Sequence, residues 1–186
     1  IKGPNYRKFL ISPLDWGLGH ATRIIPIIRY LKQLECQIWI AGSGATEKVL
    51  KESFPDIPFL KLDGYGVKYP ASKRLFGWKI ISQLPGIMSA VKAEHRWLQE
   101  NQEIYQWDVV ISDNRYGLFH EQLSSVIITH QVNIKTGMGG WVNKIVKRIN
   151  RHYLQKFDQC WIPDQRENIN LAGELSHGSI PANAVY

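Results

Sequence analysis

The chain has 186 residues, a length typical of one domain and sufficient to bury a full core. Hydrophobic residues make up 44% and charged residues 21%, a composition that excludes disordered, collagenous and coiled-coil chains. The formal charge is +7, from 23 basic and 16 acidic residues, so phosphates, nucleic acids and acidic membrane surfaces are candidate partners.

The first third of the chain alternates between short apolar runs and helical spacing. The predicted elements are, in chain order, a strand at 8–14, a helix at 21–34, a strand at 37–41, a helix at 45–54 and a strand at 57–62. The glycine-rich residues 17–20 separate the first strand from the first helix. The order βαβαβ predicts a parallel sheet with right-handed crossovers.

The rest of the chain continues this pattern. We predict one or two helices between 73 and 106 with an interruption near Pro85 and Gly86, strands at 108–112 and 125–129, a long amphipathic helix at about 141–156, and a sixth strand at 159–162. Residues 166–186 show no clear periodicity. The sequence therefore predicts an α/β fold, a Rossmann-like parallel sheet with helices on both faces, formed by residues 1–165 and followed by a tail at 166–186.

Positive charge is concentrated in two segments that contain no acidic residue. The basic residues of segment 64–93 are Lys68, Lys73, Arg74, Lys79 and Lys92, and those of segment 134–157 are Lys135, Lys144, Lys147, Arg148, Arg151 and Lys156. The remainder of the chain has a net negative charge. A solvated basic face and an anion-binding surface are both open interpretations.

The loops that follow the predicted strands are rich in Gly, Asp, His, Asn and Tyr. Ligands of open parallel sheets bind at the carboxyl ends of the strands, so these loops are the expected site. The candidate substrate-binding residues in them are Asp15, Gly17, Leu18, Gly19, Gly64, Tyr65, Asn114, Arg115, Tyr116, His130 and Gln131.

The first loop is compatible with close approach of a ligand to the backbone. Gly17 and Gly19 carry no Cβ, and the free N–H groups at a helix start favour negative charge. The dinucleotide fingerprint is incomplete, because Thr22 stands where its third glycine belongs and no acid follows the second strand. This disfavours NAD or FAD, while a purely structural turn stays an alternative.

His20 and Asp113 are candidates for catalysis. A helix N-terminus disfavours the charged imidazolium, and a general base must be neutral. A carboxylate that orients the ring would assist it, and Asp113 follows the fourth strand, with Asp15 as the competing acid. Alternatively, Asp113 only caps its own turn.

Other chemistries find little support in the motifs. The six His residues are scattered, and no Asp-x-Asp, His-x-x-x-His or Cys-x-x-Cys pattern occurs, so we expect no metal ligands. The nucleophile elbow and the Walker loop are also absent from the sequence.

Residues 11–23, with the pattern Gly17-Leu18-Gly19-His20-Ala21-Thr22-Arg23, resemble the start of the amino-terminal domain of GT-B glycosyltransferases. The closest resemblance is to the MurG-like, glycosyltransferase family 28-like group. It implies a metal-independent transferase of cell-envelope polysaccharide biosynthesis, with a nucleotide-sugar, typically a UDP-sugar, as co-substrate. It also implies that this chain is the acceptor-side domain, that 166–186 leads to a donor domain outside the chain, and that the chain alone is inactive.

The same resemblance implies the roles of the site residues. His20 would deprotonate the acceptor hydroxyl, Asp113 would support it, and Arg23 would join the substrate-binding residues. A UDP-sugar hydrolase or epimerase of the same fold is the first alternative. A module that binds anionic membranes or phosphate without catalysis is the second, and a nucleic-acid partner is not expected.

The cysteines and the hydropathy bear on localisation. Cys36 and Cys160 lie in apolar runs, which favours buried reduced thiols. No run reaches the roughly 18 apolar residues of a membrane span, and residues 1–8 lack the apolar stretch of a signal peptide. We therefore expect a cytoplasmic protein, with peripheral contact to the inner membrane face as an option that the basic segments leave open.

Overall fold

A computed structural model describes residues 7–66, 76–134, 140–164 and 180–186 of the chain. Of the predicted basic residues, Lys68, Lys73, Arg74 and Lys135 lie outside the described residues, as does the side chain of Lys79. Most of the predicted tail, residues 166–179, also lies outside them.

Seven parallel strands form one sheet. They are β1 (Lys8–Pro13), β2 (Gln37–Gly42), β3 (Phe59–Lys61), β4 (Val109–Asp113), β5 (Ser124–Ile128), β6 (Gln159–Trp161) and β7 (Ala184–Val185). Their order across the sheet is β3-β2-β1-β4-β5-β6-β7, and every neighbouring pair is parallel. The chain therefore builds outward from β1 in one direction and then returns to place β4 on its other side.

In the described residues, four helices lie between the strands: α1 (Leu18–Gln33), α2 (Gly44–Ser53), α3 (Phe76–Tyr105) and α4 (Gly140–Leu154). Alternate residues of the strands point to opposite faces of the sheet, so each face has its own core. Phe9 and Ile11 of β1 pack with residues of α1 and α2, whereas Leu10 packs with Leu98 of α3. Leu154 of α4 packs with Ile127 of β5 in a third hydrophobic cluster. This arrangement confirms the predicted fold class, a Rossmann-like parallel sheet with helices on both faces.

Three local predictions were wrong. Helix α3 continues through Pro85 and Gly86, because a proline removes one backbone hydrogen bond, a loss that packing along a long helix can outweigh. Helix α1 begins at Leu18, so the glycine-rich loop is shorter than expected and His20 lies in the first helical turn. Strand β7 lies within the predicted tail, where the backbone N–H of Cys160 donates to the Asn183 carbonyl at 2.8 Å.

The two cysteines differ from each other. Both are free, and burial raises the pKa of the Cys160 thiol to about 12. Cys36 is only partly buried, contrary to the expectation that both thiols are enclosed.

Gly117 controls how closely α3 approaches the loop after β4. A Cβ at this position would overlap the carbonyl oxygen of Val91 and the Cβ of Glu94, both on α3. We expect Gly117→Ala to lower the free energy of unfolding by about 1–3 kcal/mol, the usual cost of overpacking, in urea denaturation. Gly86→Ala is the matched control, since Gly86 is an exposed helical position where a Cβ has open space. It should leave stability unchanged or raise it by up to about 1 kcal/mol, and equal effects of the two substitutions would contradict the packing assigned to Gly117.

Candidate active site

The candidate site lies where the strand order changes direction. β1 is flanked by β2 on one side and by β4 on the other, and Pro13 at the end of β1 pairs with Asp113 at the end of β4. The backbone N–H of Leu14 also donates to the Asp113 carbonyl at 3.0 Å. The loops that leave β1 and β4 therefore diverge from adjacent points, which opens a crevice of the kind that binds ligands in α/β sheets.

Asp113 is the hub of this crevice. Its side chain has no exposed surface. His20 Nδ1 lies 2.9 Å from Asp113 Oδ2, and a guanidinium nitrogen of Arg23 donates to Asp113 Oδ1 at 3.0 Å. Both carboxylate oxygens are thus occupied, each by a different side chain of α1.

The local backbone explains why these three residues meet. Gly17 adopts a positive φ of 84°, a conformation that favours glycine, and this turns the chain from β1 into α1. His20 and Arg23 are three positions apart on α1, so they lie on the same face of the helix. Asn114 has a φ of 56°, which Asn tolerates better than most residues and which turns the chain sharply after Asp113.

In this geometry, the two ring nitrogens of His20 have different roles. If Nδ1 carries the proton that is shared with Asp113, Nε2 has a lone pair that can accept a proton. The His20 side chain is 14% exposed, whereas Asp113 is completely covered. The ring therefore connects a buried carboxylate to the surface of the crevice, the arrangement that a general base requires.

The N-terminus of α1 adds positive potential beside His20. Gly17, Leu18 and Gly19 are exposed, and none of the described side chains caps this end of the helix. The first turn contains no acidic residue. Its free N–H groups and the helix dipole can therefore stabilise negative charge on a ligand.

His130 and Gln131 follow β5, on the far side of β4. His130 is half-buried, and burial lowers its pKa, with a further lowering by the positive charge of Arg23. The charges of Arg23 and Asp113 thus both act on the His130 ring, and they shift its pKa in opposite directions. Gln131 is held by its backbone, whose N–H donates to Thr129 Oγ1 and whose carbonyl accepts from Asn150 Nδ2.

The sequence predicts Arg115 as a substrate-binding residue of the crevice. The structure differs, because the Arg115 side chain has no exposed surface. Its guanidinium donates to the Pro13 carbonyl at 3.0 Å, the Asp63 carbonyl at 3.0 Å and Glu94 Oε1 at 2.8 Å. A weaker bond reaches the Leu62 carbonyl at 3.3 Å. Arg115 therefore joins the end of β1, the loop after β3 and helix α3 beneath the crevice.

Sequence interpretation missed Glu94, the buried partner of Arg115. Its Oε2 accepts from the Tyr65 hydroxyl at 2.8 Å and from the Gly117 N–H at 3.0 Å. Burial raises the pKa of Glu94, although the Arg115 charge opposes this shift. The signal in the sequence is that Glu94 shares a helical face with Val91 and Leu98, which are buried.

Tyr65, Tyr116 and Asn114 pack within the protein close to Asp113 and Glu94. The Tyr65 hydroxyl accepts from the Tyr116 N–H at 2.6 Å, and burial raises the pKa of Tyr65 well above its usual range. Tyr116 is partly exposed, with its ring edge-on to Tyr153, and Asn114 is almost completely buried. The Tyr65 hydroxyl is thus already bonded within the protein, and the Tyr116 hydroxyl shares a hydrogen bond with the Thr129 side chain.

Asp15 lies against Gly64, which is possible because glycine has no Cβ at the point that the carboxylate occupies. Asp15 Oδ1 is buried and has no hydrogen-bond partner in the described part of the chain. Asp113, and not its competitor Asp15, is therefore the acid that contacts His20.

Neither a metal centre nor a membrane span is found in the described residues. No group of three or more His, Cys, Asp or Glu side chains among them could hold a metal ion. No helix in these ranges is long and apolar enough to cross a bilayer.

No family model and no curated protein matches this sequence. Solved structures share its fold. UGT73P12 from Glycyrrhiza uralensis, complexed with glycyrrhetinic acid 3-O-monoglucuronide, matches with a TM-score of 0.52 and 10% identity over 84% of this chain and 43% of that chain. A protein assigned as a UDP-N-acetylglucosamine 2-epimerase from Listeria monocytogenes matches with a TM-score of 0.52 and 14% identity over 96% of this chain and 44% of that chain.

These likenesses show the fold, a Rossmann-like sheet of the kind found in GT-B glycosyltransferases. The chain spans less than half the length of each of these two structures. The closer resemblance to the MurG-like group stays a prediction.

The Arg115–Glu94 ion pair should be essential for stability. Arg115→Met removes one partner and leaves the Glu94 carboxylate buried without its cation, so we expect a loss of about 3–5 kcal/mol in the free energy of unfolding. Glu47→Gln is the control, because it breaks the exposed pair with Lys51 on α2. That substitution should change stability by no more than about 0.5 kcal/mol. Urea denaturation of both variants measures the difference, and a small effect of Arg115→Met would exclude Arg115 as an anchor.

Proposed function

We propose that this chain is the acceptor-side domain of a metal-independent glycosyltransferase that transfers a hexosyl group from a nucleotide-sugar to a hydroxyl acceptor. The observation that carries the proposal is the contact between His20 and the buried Asp113 at the point where the strand order reverses. The fold shared with GT-B glycosyltransferases supports it.

In the proposed reaction, His20 is the general base. Its Nε2 takes the proton of the acceptor hydroxyl, while Nδ1–H donates to Asp113 and stabilises the imidazolium that forms. The acceptor oxygen forms a bond to the anomeric carbon of the donor sugar. The bond from that carbon to the diphosphate breaks, and its electron pair leaves with the nucleoside diphosphate.

Arg23 has a supporting role in this proposal. Its bond to Asp113 Oδ1 balances the charge of the carboxylate and leaves Oδ2 directed at His20. Without such a partner, a completely buried carboxylate would carry a large desolvation cost. We therefore propose that Arg23 positions Asp113 and that its 28% exposed side chain lies at the border of the acceptor site.

The leaving diphosphate needs compensation for its negative charge. The proposal assigns this task to helix N-termini and cationic side chains, since preorganised dipoles stabilise developing charge without reorganisation. The exposed first turn of α1 is one such end in this chain. We further propose that a second Rossmann-like domain binds the nucleotide-sugar, because the chain spans less than half of the structures that share its fold.

A hydrolase or epimerase that acts on a UDP-sugar is the second candidate. The match to the protein assigned as a UDP-N-acetylglucosamine 2-epimerase favours it, because that likeness extends over 96% of this chain. In a hydrolase, water would take the place of the acceptor and His20 would deprotonate it. Product analysis with and without a hydroxyl acceptor separates the candidates, since only the transferase needs the acceptor to form its product.

The role of His20 can be tested in a complete protein that contains this chain and a donor-binding domain. We expect His20→Ala to lower turnover by about 100-fold or more, the usual contribution of a general base. His120→Ala is the matched control, because His120 lies in the loop before β5, at the other end of the strands from His20. Turnover is measured by release of nucleoside diphosphate. Unchanged turnover of the His20 variant, or an equal loss in both variants, would exclude His20 as the base.

A further inference from the structure

Helix α4 has two faces of opposite character. Its buried side consists of Val142, Val146, Asn150 and Leu154. The opposite side is exposed, and its first two turns carry Trp141, Lys144, Ile145 and Arg148, which we call the α4 patch. Trp141 is 70% exposed and Ile145 is 48% exposed, and because they are one helical turn apart, they form one continuous apolar area.

The α4 patch is compact. Its residues are spaced i, i+3, i+4 and i+7, so they lie within an arc of roughly 100° on the helix surface. The two apolar residues are thus next to each other and are bordered by the two cations. Residues 134–157 contain no acid, so no carboxylate of this segment neutralises the patch.

The position of α4 relative to the sheet places the patch beside the crevice. Asn150 Nδ2 donates to the carbonyl of Gln131, which lies three residues after the end of β5. Tyr153 packs edge-on against Tyr116, in the loop after β4. The residues of α4 that precede Asn150 therefore lie toward the carboxyl edge of the sheet.

We propose that the α4 patch docks the protein on an anionic lipid surface. Insertion of a tryptophan and an aliphatic side chain into the headgroup region lowers the free energy of the bound state. Neighbouring lysine and arginine side chains are attracted to anionic headgroups. Lys144 and Arg148 can also extend their charged ends to the lipid surface while the apolar pair inserts. The proposal does not depend on the chemistry assigned to His20.

A lipid surface fits the patch better than a nucleic acid does. A phosphate backbone would satisfy Lys144 and Arg148, but it offers no apolar phase for Ile145. A bilayer interface accommodates both kinds of side chain. Docking by this part of α4 would hold the crevice at the carboxyl edge of the sheet close to the lipid surface.

Sedimentation with vesicles tests the proposal on the chain as it exists. We expect binding to vesicles of 70% phosphatidylcholine and 30% phosphatidylglycerol, and little binding to pure phosphatidylcholine. The variant Trp141→Ala/Lys144→Glu/Arg148→Glu should bind at least about 25-fold more weakly, because each basic residue near an anionic surface contributes roughly fivefold. Circular dichroism shows whether the variant keeps its fold.

The matched control changes one exposed aromatic residue, one arginine and one lysine on other helices. Tyr30→Ala/Arg29→Glu/Lys48→Glu loses one exposed aromatic and the same charge from α1 and α2, and it should bind the vesicles as the unmodified chain does. The single variant Trp141→Ala separates lipid from other polyanions. It should weaken vesicle binding while binding of a 20-mer DNA duplex stays unchanged. Absence of binding to the anionic vesicles, equal losses in the two triple variants, or an unaffected Trp141→Ala variant would overturn the proposal.

Discussion

The geometry of the crevice depends on a buried ion pair. Arg115 has no exposed surface and reaches from the loop after β4 to Glu94 on α3. Arg115 also donates to the Pro13 and Asp63 carbonyls, because a planar guanidinium can donate in several fixed directions at once. Since a buried charge without a partner is very unfavourable, the ends of β1, β3 and β4 are fixed relative to α3.

The position of Asp113 depends on the Arg115–Glu94 ion pair. Asp113 stands two residues before Arg115, at the end of a strand whose neighbours hold it on both sides. Its buried carboxylate meets two side chains from one helical turn of α1, His20 and Arg23. The buried carboxylates thus belong to two groups: Glu94 pairs with Arg115, and Asp113 contacts His20 and Arg23.

Much of this architecture follows from the sequence. The alternation of apolar runs and helices predicts the parallel sheet, and the carboxyl ends of its strands predict where polar residues converge. The contact between His20 and Asp113 could be expected because both residues follow strands of that sheet. Periodicity could not reveal β7, since its two residues depend on pairing with β6.

The role of Arg115 could not be predicted from local pattern. A charged residue in a loop is usually exposed, and burial here depends on Glu94, 21 positions earlier in the chain. The predicted interruption at Pro85 was wrong for a similar reason, because tertiary packing along α3 outweighs a local helix breaker. Long-range partners therefore decide the features that composition and spacing leave open.

The central claim is that Asp113 holds the proton of His20 on Nδ1 and leaves Nε2 able to accept one. Long-range ¹H–¹⁵N correlation spectra of the histidine side chains measure this tautomer directly. In the neutral ring, we expect His20 to be protonated at Nδ1, and we expect this preference to be lost in Asp113→Asn. A neutral His20 ring protonated at Nε2 in the unmodified chain would contradict the account.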